Sequence, residues 1–371
     1  LRHREIELYV YGNPEQRRNL DLADQGRTKR SPIECYAHER EKPMSSMSSG
    51  EIARPWPADV AALDTLHSAA SDLNLAPGWV PREKPILCPQ PKSEFAPAHW
   101  SYEAAKAALD AAGPLIDLSL AERRNLILRN PAQGTSFETM RTLVCAYQMI
   151  LPGEIAPSHR HSSHAVRVII DGKGSYSIVN GQKIPMETGD VVLTPGWCWH
   201  GHGHDGDQPA YWFDGLDVPL TQLLESMFHE EHPEKYQPVE RMVTSSPFRF
   251  TRESMARGLD DAKPDPEGFH GPRIALATPD MPPMGLHVER IEGGTKTRRH
   301  RSTANTVFLV LDGSGTTTIG ERDFSWRKGD AFAAPTWTKI EHRIASDALL
   351  FTLSDEPLMR FAHYYRFEAD R

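Results

Sequence analysis

Between residues 59 and 73, Val60, Leu63, Leu66, Ala70 and Leu73 recur at the spacing that gives a helix one apolar face. A second helix is expected from Tyr102 to Ala112, with Ser101 placed to cap its first turn and Gly113 just past its end. The intervening PREKPILCPQPKSEFAPAH is too rich in proline for either regular period and reads as extended, irregular chain. The helices are expected to form a cover rather than a core. From about residue 135 the texture changes to short apolar runs broken by DG, NG and TGD, the pattern of many antiparallel strands.

That strand-rich part contains an internal repeat. HRHSSHAVRVIIDGKG (159–174) aligns without gaps on HRSTANTVFLVLDGSG (300–315), and GQKIPMETGDVVLTPGWCWHGH (181–202) resembles GERDFSWRKGDAFAAPTWTKIEH (320–342) with one residue inserted. Self-similarity over a strand, a turn and the next strand in the same order implies two copies of one β-barrel module. The organisation expected is an N-terminal extension with a helix, partly disordered, over 1–75, and an arm with a helix over 76–134. A first barrel over 135–220, a connecting segment over 221–270 and a second barrel over 271–371 follow. Within the connection, TQLLESMFHEE is a candidate helix. MSSMSSGE at 44–51 reads as a natural start, which makes residues 1–43 an upstream extension.

Length and charge narrow the function. At 371 residues the chain is long enough for two domains with separate cores. Its formal charge of −8, from 42 basic and 50 acidic residues, argues against general binding to nucleic acid or anionic membranes, which needs a clustered positive field. RTKR at 27–30 reads as a solvated tail. Cys35, Cys88, Cys145 and Cys198 form no CxxC pair, so neither a zinc knuckle nor a disulfide framework is indicated, and a cytoplasmic location is expected. No apolar run approaches membrane-spanning length.

Histidine carries the chemistry. Residues 159–204 hold six of the 17 histidines: His159, His161, His164, His200, His202 and His204. Side chains at i and i+2 of a strand share a face, so His159 and His161 can point together and His200 can arrive from a later strand to complete a triangle of nitrogens. Three imidazoles suit a divalent first-row metal and leave positions open for water, substrate or dioxygen. The plainer alternative is a polar strand start with surface histidines. His164 has the opposite parity to the pair and His204 is expected to face solvent in the GHDGD loop, so both are weaker candidates. His202 is placed to touch a substrate without binding the metal, and its neutral imidazole could accept or return a proton near pH 7.

Arg167 shares the parity of His159 and His161, while Val166 and Val168 face the other way. A buried cation needs a partner. Either an internal carboxylate supplies it, Asp214 being a candidate, or an anionic substrate does through a forked hydrogen bond; the second is favoured because it explains a charge aimed at an open metal site. In the second module the positions of His159, His161 and His200 are taken by His300, Ser302 and Ile340, and one imidazole cannot hold a catalytic divalent ion alone. His342 aligns with His202 and is expected to be structural.

From about residue 76 to the C-terminus the chain resembles the bicupin family of ring-cleaving dioxygenases, the gentisate, salicylate and 1-hydroxy-2-naphthoate 1,2-dioxygenases. GEIAPSHRH matches the first cupin motif, with Ala165 where most cupins have glutamate, and GDVVLTPGWCWHGH matches the second. The run TPGWCWHGHGHDGDQPAYWFDGLDVPL, with Cys198 and Gly201, is more similar to salicylate-type members. The resemblance implies an all-β dominated bicupin, two double-stranded β-helix (jelly-roll) barrels with an N-terminal helical arm, assembled as a homotetramer. It implies Fe(II) on His159, His161 and His200, and cleavage of a 2-hydroxybenzoate between its carboxyl- and hydroxyl-bearing carbons using O2. Arg167 then matches the carboxylate-binding arginine, His202 the histidine that assists proton transfer, Asp214 the aspartate of the GLD segment, and Arg123 a substrate-side arginine of the arm, an exposed arm residue being the alternative.

Two departures bear on substrate. Ser119 stands where family members commonly carry another arginine, and Val144 where they carry an aromatic residue on the strand before the metal motif; Gln148 on the same strand is retained. Smaller, less charged walls point to a 2-hydroxybenzoate with a different substituent at position 5, 5-nitrosalicylate being one example, in place of gentisate. The rival readings are a 1-hydroxy-2-naphthoate dioxygenase, a zinc- or manganese-dependent isomerase or hydrolase on the same histidines, and a non-catalytic bicupin.

Overall fold

A computed structural model describes residues 62–82, 85–117 and 123–370. The expected extension of residues 1–43, the start of the first helix and Ser119 lie outside these. The chain divides into two units, 1–83 and 84–371. In the first, the apolar spacing produces the helix Leu63–Asp72, which buries Ala69 and Ala70, and the chain leaves it through Asn74 in the left-handed region at φ 57°. Among the described residues no helix is long and apolar enough to cross a membrane.

The second unit holds two β-barrels. In the first barrel, one sheet runs Arg249–Phe250, Val191–Thr194, Ala165–Asp171, Ala210–Leu216, Val144–Ile150, Arg124–Ile127, and the facing sheet runs His229–Glu231, Ile155–His161, His200–His204, Ser175–Val179, Gln182–Met186, Arg241–Met242. The NG dipeptide makes the two-residue hairpin between Val179 and Gln182, with Asn180 at φ 45° and Gly181 at φ 76°. Alternation sorts the side chains. Ile150, Ile169, Val192 and Trp212 meet Val179, Ile184 and Met186 inside the barrel. The opposite face of the first sheet, with Tyr147, Val166, Val168 and Phe213, packs on Leu309, Phe351 and Leu353 of the second barrel. A sheet buried on both faces needs unbroken apolar strands, which is why AVRVIID and VCAYQMI show little polar alternation.

The second barrel is one nine-stranded sheet because its two long strands, Thr306–Ile319 and Ile340–Ser354, run through the bend that interrupts their counterparts at DGKG. Strand pairing confirms the repeat: His159 lies opposite His200, and His300 lies opposite Ile340. Likewise Asp214 lies opposite Arg167, and Thr352 opposite Phe308.

The repeat extends further than the sequence showed. Ahead of the first barrel, strand Ala98–Trp100 pairs with Ala331–Ala334 of the second barrel, and the helix Tyr102–Ala112 begins with Tyr102 N–H donating to Asp330 Oδ1 at 2.9 Å. Ahead of the second barrel, Arg249–Phe250 pairs with Val191–Val192 of the first, and the helix Arg252–Asp261 begins with Arg252 N–H donating to Asp190 Oδ1 at 3.1 Å. Asp190 and Asp330 are the aspartates of the equivalent TGD and KGD turns. Each arm therefore packs on the other module's barrel, with Ser101 and Thr251 as side-chain N-caps.

Part of the stretch 221–270 differs from expectation. TQLLESMFHEE is not one helix: a short helix ends at Leu223, Glu225 takes φ 56°, and His229–Glu231 becomes an edge strand on Ile155–His161. Unsatisfied backbone groups along that edge bind the segment more strongly than its helix propensity can resist.

Candidate metal centre

His159 and His161 lie on the strand Ile155–His161 and His200 opens the adjacent strand. Their ligand nitrogens lie within 4.8 Å of one another, and they are the one such group among the described residues. Ring centroids are 4.4 Å apart for His159 and His200, and 4.8 Å for His161 and His200. Two backbone carbonyls set the tautomers. His161 Nδ1 lies 2.8 Å from Ser163 O and His200 Nδ1 lies 3.0 Å from Cys198 O. A carbonyl only accepts, so both Nδ1 atoms carry the proton and both Nε2 lone pairs are left for a metal. His200 Nε2 is buried without a hydrogen-bond partner, which marks a place for an electron-pair acceptor.

Electrostatics agree with metal binding. Burial and then the neighbouring His159 push His161 down to about 4, and burial, His159 and Arg167 hold His200 well below the ordinary imidazole value. Both are neutral at pH 7, as ligation requires. Soft-to-borderline nitrogen donors on one face, with no fourth protein ligand among the described residues, fit a divalent first-row metal with open positions.

Around the triad the structure gathers most of the expected residues. His202 follows on the same strand face, its ring 5.9 Å from His200 and 6.0 Å from Trp212. Its Nδ1 is 2.7 Å from Ser177 Oγ, and the Ser177 hydroxyl is in turn 3.5 Å from Met186 Sδ. With that hydroxyl donated to sulfur, Ser177 accepts Nδ1–H and leaves His202 Nε2 as a bare lone pair, buried with no partner. Burial, Arg167 and Arg123 keep His202 well below its ordinary value, which favours the neutral imidazole.

Arg167 is 1% exposed and acts on His161, His200 and His202, as the parity argument required. Its Nη1 donates to Thr194 Oγ1 at 2.6 Å. Of the two partners expected for Arg167, the structure shows the internal one: Asp214 Oδ1 lies 3.3 Å from Arg167 Nε because the two residues are directly opposed across neighbouring strands. Gln148 Nε2 donates to the other oxygen of Asp214 at 2.5 Å. Burial raises the Asp214 carboxyl, and Arg167 and Arg123 oppose the rise. Arg123 is half-buried and acts on His161, His202 and Asp214, which brings it to the site. Val144 shares strand parity with Gln148 and is buried opposite Leu216.

The weaker candidates have other tasks. His164 Nδ1 accepts Gly196 N–H at 2.9 Å and its backbone N–H donates to Asp217 Oδ1 at 2.7 Å, so it ties two loops together. The expectation that His204 faces solvent is wrong. It is 1% exposed because strand His200–His204 runs on to include it, and its Nε2–H donates to Gln208 O at 2.5 Å. Sequence reasoning missed Ser163, Ser177 and Thr194, which fix the functional side chains, and His229, whose ring stacks 5.1 Å from His159. The repeat offered one signal: Thr317 lies 2.8 Å from His342 Nδ1 as Ser177 does from His202.

In the second barrel, Phe308 takes the place of Arg167 and stacks on Phe332 at 4.8 Å, with Trp326 6.0 Å from Phe332. Aromatic rings fill the volume that the first barrel leaves to its polar groups.

A Cupin domain matches residues 146–218, which span the triad, Arg167, His202 and Asp214. The chain is 34% identical over 338 residues to gentisate 1,2-dioxygenase 1 of Aquipseudomonas alcaligenes, covering 84% of this chain and 97% of that protein. It belongs to this family of ring-cleaving dioxygenases. The dioxygenase is also 31% identical to 5-aminosalicylate 1,2-dioxygenase of Comamonas sp, over 83% of this chain and 90% of that one. Its fold matches a crystal structure of a salicylate 1,2-dioxygenase mutant from Pseudoaminobacter salicylatoxidans in complex with gentisate, with a TM-score of 0.77, 27% identity, and coverage of 88% of this chain and 98% of that one. The dioxygenase is thus an oxidoreductase with a predominantly β bicupin fold.

Proposed function

We propose that this dioxygenase binds Fe(II) on His159, His161 and His200 and opens a 2-hydroxybenzoate between its carboxyl- and hydroxyl-bearing carbons with O2. One observation carries the reading: three histidines with converging ligand nitrogens lie beside a buried guanidinium and a buried imidazole nitrogen, His202 Nε2, that has no hydrogen-bond partner. Bound there, Fe(II) supplies Lewis acidity and a one-electron route between a closed-shell ring and triplet dioxygen.

The chain's own residues do the rest. Arg167, fixed by Thr194 and Asp214 and itself buried, attracts the substrate carboxylate toward the three histidines and offsets its charge. His202 Nε2 accepts the proton of the substrate hydroxyl, so that the oxygen binds as an anion, and the Ser177 contact holds the ring in the required tautomer. The substrate carboxylate and the phenolate formed by this transfer favour the protonated imidazole, which offsets the basicity that burial removes. Arg123 contributes positive potential from the arm side. Gln148 keeps Asp214 oriented toward Arg167.

Val144 and Ala146 place small side chains on the face that also carries Gln148, and this supports a substrate bearing bulk or a weakly hydrogen-bonding group at position 5, such as 5-nitrosalicylate. The assembly in this reading is a homotetramer, measurable by light scattering. The deciding experiment is anaerobic Fe(II) reconstitution followed by oxygen uptake on salicylate, gentisate, 5-nitrosalicylate and 1-hydroxy-2-naphthoate. A preference for gentisate above every other substrate would overturn the position-5 assignment, and activity restored by zinc but never by Fe(II) would overturn the iron.

A further inference from the structure

We infer that the seam between the two barrels holds a second, non-catalytic site that binds an aromatic monocarboxylate. A cavity of about 330 Å³ lies there, walled by Ile169 and Ile170 of the first barrel, Val310 and Leu311 of the second, and Met255 and Leu259 of the helix Arg252–Asp261. Ile169 and Ile170 are the repeat counterparts of Val310 and Leu311, so the cavity sits where equivalent strands meet.

Broken symmetry explains why space remains. On the other side of the seam, Tyr102 lies against Gly329, where an added Cβ would come within 2.4 Å of its ring, and Tyr147 donates its hydroxyl to Gly329 O at 2.7 Å. The strand registers make Val288 the counterpart of Tyr147, since each faces the equivalent phenylalanine, Phe351 or Phe213. The first residue of the second arm's helix is Arg252 in place of Tyr102, and its stem lies over Gly189. Two aromatic rings on one side are thus replaced by a valine and a flexible arginine on the other.

The lining specifies the occupant. Apolar walls of this kind favour a ring, and a cavity of about 150 Å³ is enough for benzene, so one or two fused rings fit here. Among the charged residues of the lining, Arg290 is held by Asp260 at 2.9 Å, while Asp312 and Asp347 each accept a backbone N–H, from Gly313 at 2.9 Å and Gly293 at 2.8 Å. Arg252 and Lys328 also line the cavity, and among the described residues neither forms an ion pair with an acidic side chain. They provide the charge that a carboxylate needs. This site does not depend on the reading of the metal centre.

The test titrates the iron-loaded, full-length protein with 2-naphthoate by calorimetry, and compares Ala256→Trp, which fills the cavity, with Arg252→Glu at its exposed rim. The expected result is saturable binding in the wild type and in Arg167→Ala, lost in Ala256→Trp with oxygen uptake on the true substrate unchanged, and weakened at least about tenfold in Arg252→Glu. If Ala256→Trp does not fold, Arg252→Glu, whose side chain is exposed, gives the same reading. Absence of binding in the wild type, or binding that disappears in Arg167→Ala and is indifferent to both seam variants, would overturn the inference.

Discussion

Arg167 and Asp214 stand opposite one another on adjacent strands of the first barrel, with Arg167 Nε 3.3 Å from Asp214 Oδ1 and both side chains almost wholly removed from water. The second barrel forms the same strand pairing with Phe308 and Thr352 at the same two positions. The same strand pairing thus forms without the ion pair, and in the proposed mechanism the pair serves the chemistry. Asp214→Ala should destabilise the protein by about 3–5 kcal/mol, because it strands a buried guanidinium, whereas Arg167→Phe combined with Asp214→Thr should recover most of that loss while abolishing turnover. Urea unfolding of the three proteins decides it; a double variant no more stable than Asp214→Ala would show that the pair holds the barrel together. Arg167→Ala alone should weaken substrate binding and keep its metal, and simultaneous metal loss would instead assign the arginine a structural role.

Ser177 touches no substrate in the proposed mechanism, yet it decides which nitrogen of His202 carries the proton. Ser177→Ala should lower kcat on the order of tenfold or more with metal content unchanged. Ser177→Thr should restore it, since Thr317 holds His342 in the second barrel with the same contact. Equal activity in Ser177→Ala and wild type would remove Ser177 from the positioning of His202.

His200 arrives from a different strand from His159 and His161, so its loss leaves only two nitrogens from one edge. His200→Ala should reduce iron affinity by more than about 100-fold, the upper end of what loss of a mere supporting contact does. Inductively coupled plasma measurement after Fe(II) reconstitution gives the occupancy directly. Chelation of the wild type should abolish oxygen uptake, with recovery on adding Fe(II).

Much of this architecture was readable before any coordinates, because the repeat fixed two barrels and the two-residue period of a strand put His159, His161 and Arg167 on one face. What the sequence could not show were effects of strand pairing between distant segments. The capture of Arg167 by Asp214 depends on a register across neighbouring strands. The edge strand His229–Glu231 wins over a helical pattern because a sheet edge offered partners. His204 looked exposed in a glycine- and aspartate-rich run, yet the strand that begins at His200 runs on to include and bury it. The exchanged arms were invisible because WSYEAAKAALD and FTRESMARGLD share only caps and helical spacing, and no local pattern says which barrel an arm will cover.

Asp217 gives the loop after the last strand of the first barrel a dependence on pH. Its carboxylate accepts His164 N–H at 2.7 Å, as Asp355 accepts Asn305 N–H at 2.8 Å in the second barrel. Burial outweighs these bonds and raises the Asp217 carboxyl from 3.8 to about 6. A carboxyl that holds its proton more tightly in the folded chain than in the unfolded one contributes its full stability below about pH 4, and that contribution is lost as pH rises through about 6, to a total of about 2–3 kcal/mol. Asp217→Asn keeps an acceptor oxygen for His164 and removes the buried charge, so it should be more stable than wild type at pH 8 and no more stable at pH 4. Asp217→Ala leaves the N–H unsatisfied and should cost about 1–3 kcal/mol at pH 4, where the charge is absent from both proteins. Thermal unfolding of the three proteins across that range separates the two effects, and parallel curves for wild type and Asp217→Asn would show that this carboxyl does not titrate with folding.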